Sequence, residues 1–385
     1  MTRNNESSSN EQRGIGRRSA LKKGAVIASA LSIGASPVVG MGDDTVKLPK
    51  FVSGGKPLEY FEAPRKWDEH RKNAKRVQSE VINKYADDRG VYGIGLTRSP
   101  KTYGGKNGLG VELIVDESYE SDHIPAEISR VPITTEVGKP GKKGDCDLSG
   151  GGSNCVNKED DWTVNGGELL KGTEYNGTAA MQMTDSNDNK YLLTVAHLFR
   201  SNCPTDVNGK SAYAGDGHKI GEVSQSNSVD DWAVINLNSD GDTNDWIDDN
   251  DNYPYCKGAV AEATLQEWES RSKSNRPCLY QMGCTTGKTT GRLKHANFSE
   301  TTFNSCVDYN SDGSADGVYT YCDFSDGDSG GPTWHNSGGD AYLVSTTALY
   351  HDMFVDEICG DNNYGPDSSG MAGYAIENET GHSIP

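Results

Sequence analysis

A serine flanked by glycines stands in the segment Gly327–Pro332 (GDSGGP). A serine nucleophile needs a turn that exposes its hydroxyl and a backbone that can direct amide hydrogens at a developing oxyanion, and glycine permits both. Such a serine also needs a histidine that accepts its proton and a carboxylate that orients the histidine. The segment therefore predicts nucleophilic catalysis by Ser329, with its partners upstream.

The candidate histidine is His197, which follows the apolar run 191–196 (YLLTVA). That run predicts a buried strand that ends in a tight turn. The candidate carboxylate precedes a second buried-strand pattern, 232–235 (WAVI). Asp231 is the preferred partner because it adjoins the apolar run. Asp230 is the alternative, since period-two alternation lets only one of two neighbours face inward.

Four segments together resemble the chymotrypsin-like serine proteases, whose triad follows the chain order histidine, aspartate, serine. They are Thr194–His197 (TVAH), Asp231–Val234 (DWAV), Gly283–Gly291 (GCTTGKTTG) and Gly327–Pro332. The third is similar to the Gly-Thr-rich start of the second barrel in bacterial secreted members. The resemblance spans residues 173–350, about half of the chain. An Asp-Ser-Gly-Gly sequence alone makes an ordinary turn, so the order of the set carries the resemblance.

The resemblance implies an all-β fold of two six-stranded antiparallel β-barrels, preceded by a small α+β N-terminal segment. It also implies roles for the site residues. Ser329 would attack the substrate carbonyl while His197 takes its proton and Asp231 stabilises the imidazolium. The backbone amides of Gly327 and Ser329 would form the oxyanion hole.

Two substrate-binding residues follow from the same resemblance. Asp323 stands six residues before the nucleophile, where trypsin-like members carry the acid that selects Arg or Lys; a solvated acidic rim is the alternative. Ser345 lies in the run 343–347 (LVSTT), similar to the strand that pairs with the substrate backbone. The usual Ile-Val-Gly-Gly activation sequence is absent, which disfavours a newly made amino terminus as the partner of Asp328 and leaves an internal cation as the other option.

The first 40 residues predict an export signal. Paired arginines at positions 17 and 18 precede a short run of apolar and small residues from Ala25 to Gly40, similar to a twin-arginine signal. The alternative is a disordered basic tail. Residues 1–40 hold six Lys or Arg and two Asp or Glu, so their removal changes the formal net charge from −19 to −23. Such acidity disfavours nucleic acid and anionic membranes as partners and resembles the surfaces of halophile proteins.

The rest of the chain divides into three parts. Residues 41–145 contain an amphipathic helical pattern over Lys66–Asp87 and strand-like runs after it, which predict a small α+β unit. A prosegment that assists folding or blocks the cleft and a permanent accessory domain are both open. Residues 146–172 are a Gly-rich linker, and residues 173–385 form the predicted protease domain.

Nine cysteines lie between Cys146 and Cys359, and in an exported protein they predict disulfides. The odd count leaves one thiol over. Candidate pairs are Cys146 with Cys155, Cys306 with Cys322, and Cys278 or Cys284 with a near neighbour. No metal or cofactor is expected, although Asp308–Asp316 follows the start of a calcium loop without its closing glutamate.

The sequence thus predicts a secreted serine endopeptidase that acts as a monomer on protein or peptide substrates, and that is made as a zymogen if residues 41–145 are a prosegment. Two alternatives use the same residues differently. One is a catalytically silent, protease-like binding module, which has no need to keep Ser329, His197 and Asp231 together. The other is a serine esterase that uses the same triad.

Overall fold

The computed structural model describes residues 44–143, 146–147, 162–201, 205–248, 254–301, 307–310, 313–354 and 366–385. The predicted export signal and most of the Gly-rich linker lie outside these residues. The described chain is mostly β-structure, with three α-helices. Within that part, no helix combines the length and apolarity that a bilayer crossing requires.

The N-terminal segment is a small α+β arrangement. Its elements are β1 (Thr45–Ser53), β2 (Lys56–Pro64), α1 (Arg65–Tyr85), β3 (Val91–Tyr103), β4 (Lys106–Val115), β5 (Glu127–Ile128), β6 (Val131–Val137), β7 (Gly141–Lys143) and β8 (Cys146–Asp147). The helix predicted over residues 66–87 is thus found. It forms because Val77, Val81 and Tyr85 recur at four-residue spacing and make one buried face that packs on the hairpin of β3 and β4.

An eight-stranded antiparallel sheet carries the histidine and aspartate segments. Besides β8, it contains β9 (Leu169–Lys171), β10 (Tyr175–Thr178), β11 (Met181–Thr184), β12 (Lys190–Thr194), β13 (Ser211–Ala214), β14 (Lys219–Asn227) and β15 (Trp232–Leu237). The strand order is β11-β12-β15-β14-β13-β9-β10-β8. β12 pairs with β15, so the end of the histidine strand lies beside the start of the aspartate strand.

A second sheet carries the serine segment. Its remaining elements are β16 (Cys256–Val260), α2 (Glu262–Glu269), β17 (Leu279–Gly283), β18 (Gly287–Gly291), β19 (Leu293–Glu300), β20 (Gly317–Thr320), β21 (Pro332–Ser337), β22 (Asp340–Phe354), β23 (Pro366–Ala372) and α3 (Gly373–Thr380). These strands do not form a separate six-stranded unit. N-terminal strands join them through the pairs β1–β16, β3–β19 and β7–β22, which gives a fifteen-stranded sheet.

The buried cysteines correct part of the predicted disulfide pattern. Cys256, Cys284 and Cys322 are buried and form no disulfide. The candidate pair of Cys306 with Cys322 is therefore wrong, and so is any pair that uses Cys284. Six of the nine cysteines are left, enough for three disulfides at most.

Candidate active site

His197 lies in a short 3-10 turn, Ala196–Phe199, that begins just after β12. Its side chain is fully buried, and its Nδ1 is 2.6 Å from Oδ2 of Asp231. The backbone amide of His197 donates to Oδ1 of Asp231 over 2.9 Å. An ionised carboxylate only accepts hydrogen bonds, so Nδ1 carries the hydrogen and Nε2 is left as the basic nitrogen. This is the tautomer that a general base requires.

Asp231 stands at the start of β15 with a positive φ of 57°, a conformation that side-chain-bearing residues rarely adopt. The left-handed turn aims its carboxylate at His197. Asp230, the alternative, directs its carboxylate elsewhere and accepts a 2.6 Å hydrogen bond from the Asn227 amide group. Of the two neighbours, the structure places Asp231 beside the histidine.

A buried arginine, which the sequence reasoning missed, completes the environment of Asp231. The Arg200 guanidinium is 3.2 Å from Oδ1 of Asp231 and only 2% exposed. Its cationic field favours the ionised carboxylate. One signal in the sequence could have indicated Arg200. It stands three residues after His197, so a short turn at the histidine places both residues on the same side of that turn.

Ser329 is fully buried in a loop that is hydrogen-bonded on both sides. Its hydroxyl donates to the carbonyl of Ala348 over 3.4 Å, and its own carbonyl accepts from the amide of Thr178 over 2.7 Å. The amide of Gly330 donates to the carbonyl of Thr347 over 2.7 Å. The nucleophile segment is thereby fixed between β10 of one sheet and β22 of the other.

The loop leaves two backbone amides available to an oxyanion. The amides of Asp328, Gly330 and Gly331 donate within the loop or to β22. The amides of Gly327 and Ser329 donate no hydrogen bond to any described residue. Gly327 has a φ of 100°, which a side chain would disfavour and which sets the direction of its peptide unit. These are the two amides that the sequence predicted for the oxyanion hole.

Asp328 is held by neutral donors, an outcome that neither candidate partner anticipated. Oδ1 accepts from the amides of Thr285 and Thr286 over 3.0 and 3.1 Å. Oδ2 accepts from the Thr286 hydroxyl and from the Ser325 amide, each over 2.8 Å. Burial raises the pKa of Asp328 to about 6, although these hydrogen bonds act in the opposite direction. Hydrogen-bond donors of the Gly-Thr-rich segment therefore bind the Asp328 carboxylate where an amino terminus or a cation was expected.

Gly177 on β10 brings the histidine turn and the serine loop together. A methyl group at this position would lie 2.5 Å from the carbonyl oxygen of Ser329 and 2.6 Å from Cδ2 of Leu198. Ordinary contacts between such atoms need about 3.4 Å or more. Only glycine allows Leu198, which follows His197, and Ser329 to close on the strand from both sides. The sequence reasoning missed this residue because an isolated strand glycine gives no hint of its partners.

The two predicted specificity residues lie in unlike positions. Asp323 is half-buried, and its backbone carbonyl accepts from the side chains of Gln281 and Thr289. Ser345 is buried inside the sheet, opposite Thr333 on β21 and Ala372 on β23. Both edges of β22 are thus paired at Ser345, and its substrate-pairing role stays a prediction.

One group of metal-type side chains lies apart from this site. Atoms of Glu112, Glu136 and His295 that could ligate a metal lie within 4.8 Å of one another. However, the Lys294 ammonium is 3.5 Å from Glu136 and supplies positive charge there. Burial raises the pKa of Glu112 to about 7, and the neighbouring charge of Glu136 adds to the effect. The group is accounted for as a partly buried network of ion pairs and shared protons.

One family model of known proteins matches the middle of the chain. Residues 165–353 match the Trypsin family model. That range contains His197, Asp231 and Ser329. No curated protein sequence matches the chain.

Several solved protease structures are similar to part of the chain. Protease A of Thermobifida fusca is 15% identical over 57% of this chain and 97% of its own, with a TM-score of 0.41. The chymotrypsin of Cellulomonas bogoriensis is 15% identical over 58% and 98%, with a TM-score of 0.39. A Nocardiopsis protease is 16% identical over 57% and 98%, with a TM-score of 0.40.

Proposed function

We propose that this protein is a serine endopeptidase in which Ser329, His197 and Asp231 form the catalytic triad. The observation that carries the proposal is the 2.6 Å contact between His197 Nδ1 and Asp231, within the segment that matches the Trypsin family model. The contact fixes the tautomer that leaves Nε2 basic. The family match supports a peptidase-type hydrolase as the class of activity.

The reaction follows from the roles of these groups. Ser329 Oγ bonds to the carbonyl carbon of the scissile peptide while Nε2 of His197 takes the hydroxyl proton. The carbonyl oxygen becomes negative, and the amides of Gly327 and Ser329 stabilise it. His197 then protonates the leaving nitrogen as the carbon–nitrogen bond breaks. Water attacks the remaining ester with His197 again as base, which yields a carboxylate and restores Ser329. Asp231, with Arg200 beside it, stays ionised throughout.

The enzyme would act outside the cell. A twin-arginine signal over residues 1–40 would export the folded chain, and the remaining chain would carry a formal charge of −23. An acidic surface of this kind suits an extracellular protein at high salt. Protein or peptide substrates, and a monomeric enzyme without cofactor, fit the predicted class.

Labelling by a fluorophosphonate probe tests the nucleophile directly. We expect a single adduct at Ser329 by peptide mapping and none in Ser329→Ala. Asp231→Asn and Asp230→Asn form a matched pair, since Asp231 lies 2.6 Å from Nδ1 of His197 whereas Asp230 accepts a hydrogen bond from Asn227. We expect Asp231→Asn to lose about 10⁴-fold in turnover, by analogy with the effect of a wrong tautomer, and Asp230→Asn to retain activity.

The same preparation separates the alternatives. A peptide series and a simple ester series would be compared at equal concentration. Turnover of esters without peptides would favour an esterase. Absence of both labelling and turnover would favour the silent binding module and would refute the proposed function.

A further inference from the structure

Arg200 is buried beside the candidate triad with several of its hydrogen-bond donors unpaired. The residue is 2% exposed, and its Nη2 lies 3.2 Å from Oδ1 of Asp231. Its Nε and Nη1 are buried too, and neither has a hydrogen-bond partner among the described residues. A buried guanidinium with unpaired donors lowers the stability of a fold, because those donors have lost their hydrogen bonds to water. The position of Arg200 therefore calls for a reason other than stability.

The backbone of the histidine turn holds Arg200 in this place. The amide of Arg200 donates to the carbonyl of His197 over 3.3 Å. The next carbonyl of the turn, that of Leu198, accepts from the amide of Glu174 in the connection between β9 and β10 over 3.1 Å. The imidazole and the guanidinium are therefore carried by one short turn, which a neighbouring hairpin fixes from outside.

The carboxylate of Asp231 is shared between a permanent cation and a group that becomes a cation during the proposed reaction. Its Oδ2 faces Nδ1 of His197, and its Oδ1 accepts from the His197 amide and from Arg200. A guanidinium stays charged at any working pH. It balances the buried carboxylate while the imidazole is neutral, and it disfavours a second positive charge on the imidazole. The neutral imidazole is the form that accepts the serine proton.

The other ionisable groups near this carboxylate are of a different kind. Tyr309 is fully buried, and burial holds the pKa of its hydroxyl well above the usual value, with the charge of Asp231 adding to the effect, so the hydroxyl is neutral. Glu300, whose charge also acts on Tyr309, lies 3.7 Å from Nε2 of His351. The remaining acids around the segment of Asp231 are Asp230, Asp308 and Glu379. Of all these groups, Arg200 is the one that is positive at every pH.

We propose that Arg200 is a positioning residue that keeps His197 neutral, and so able to act as a base, in more acidic solution than the pair of Asp231 and His197 alone would allow. The inference rests on the proposed function, because it concerns the same histidine. Arg200 acts through Asp231, which it contacts, and sets the acid side of the pH profile of the enzyme.

The rate of fluorophosphonate labelling at Ser329, measured over a series of pH values, tests the inference. The position of the acid limb of the profile reports the charge state of the imidazole, whereas the height of the alkaline plateau reports geometry. We expect Arg200→Gln, which removes the charge, to move the acid limb to higher pH by about 1 unit or more. Arg200→Lys keeps the charge but loses the planar guanidinium, so its plateau should fall while its acid limb stays in place.

A second buried arginine supplies the matched control. Arg276 is buried, and its Nη2 lies 2.8 Å from the buried carboxylate of Glu269. We expect Arg276→Gln to lower the free energy of unfolding and to leave the acid limb of the labelling profile unmoved. An acid limb that is unmoved in Arg200→Gln, or that moves equally in Arg200→Gln and Arg200→Lys, would overturn the inference.

A stability measurement covers the case in which Arg200→Gln does not fold. Asp231→Asn leaves the Arg200 guanidinium buried without its carboxylate and should lower the free energy of unfolding. Asp231→Asn combined with Arg200→Gln removes that unpaired charge and should recover part of the loss. A double variant that is no more stable than Asp231→Asn would overturn the inference.

The labelling of the unaltered protein separates this inference from the proposed function. If the unaltered protein labels at Ser329 and the acid limb does not respond to Arg200→Gln, the inference fails and the proposed function stands. If the unaltered protein does not label at any pH, both fail together.

Discussion

Replacement of Gly177 by alanine is the sharpest test of how the two sheets are assembled into one site. The new methyl carbon would begin 2.5 Å from the carbonyl oxygen of Ser329 and 2.6 Å from Cδ2 of Leu198. Relief to ordinary contact requires shifts of about 0.8 to 0.9 Å. Leu198 can rotate, whereas the Ser329 carbonyl is fixed by its bond to the Thr178 amide. The serine loop must therefore move away from β10.

The magnitude follows from that displacement. Overpacking of a tight interior typically destabilises a fold by about 1 to 3 kcal/mol. Misplacement of a reacting group by about 1 Å lowers turnover by about 10²-fold. We therefore expect Gly177→Ala to lower the rate of fluorophosphonate labelling at Ser329 about 100-fold while the protein still folds. Thermal unfolding and labelling kinetics on the same samples measure both effects.

A control and a rescue make the result decisive. Gly217→Ala places a methyl group in open space at a positive φ of 94°, so it strains the backbone without touching the site. It should lower stability without changing the labelling rate. Gly177→Ala combined with Leu198→Ala removes one of the two clashes but also a buried core side chain, so it should recover part of the labelling rate and not the stability. Labelling of Gly177→Ala at the unaltered rate would refute the close approach.

Three further expectations concern charge and packing. The pKa of Asp328 is about 6 in the folded protein against an ordinary value of 3.8, so the free energy of unfolding is highest below pH 3.8 and falls as pH rises through 6. The fall is about 3 kcal/mol. Urea unfolding at a series of pH values measures it, and Asp328→Asn should abolish it. Phe51 is buried, and the centre of its ring lies 3.7 Å from the centre of the Tyr342 ring, on which it stacks. Phe51→Ala should therefore lower the free energy of unfolding by about 3 to 5 kcal/mol. Tyr60→Ala, at an exposed position, should lower it little. If Asp323 selects basic side chains, Asp323→Asn should lower turnover of Arg and Lys substrates relative to neutral ones, and an unchanged ratio would leave only the solvated-rim role.

The sequence alone determined the candidate residues of the proposed chemistry. Ser329 between glycines, His197 after an apolar run and Asp231 before another are local patterns, because a strand that ends in a turn is encoded by neighbouring residues. The helix of the N-terminal segment was predictable for the same reason, since Val77, Val81 and Tyr85 repeat at helical spacing.

Only the tertiary structure decided how these parts meet. The four donors to Asp328, the guanidinium of Arg200 beside Asp231, and the two-sided contact of Gly177 are relations between side chains and strands that the sequence does not place together. Ser345 is paired on both sides, because β21 and β23 flank that part of β22. The partner of each strand, the free edges of a sheet and the burial of a residue depend on pairing between segments that are far apart in the sequence. Several strands of similar local sequence could pair with any one strand, so a short stretch of sequence does not specify which of them does.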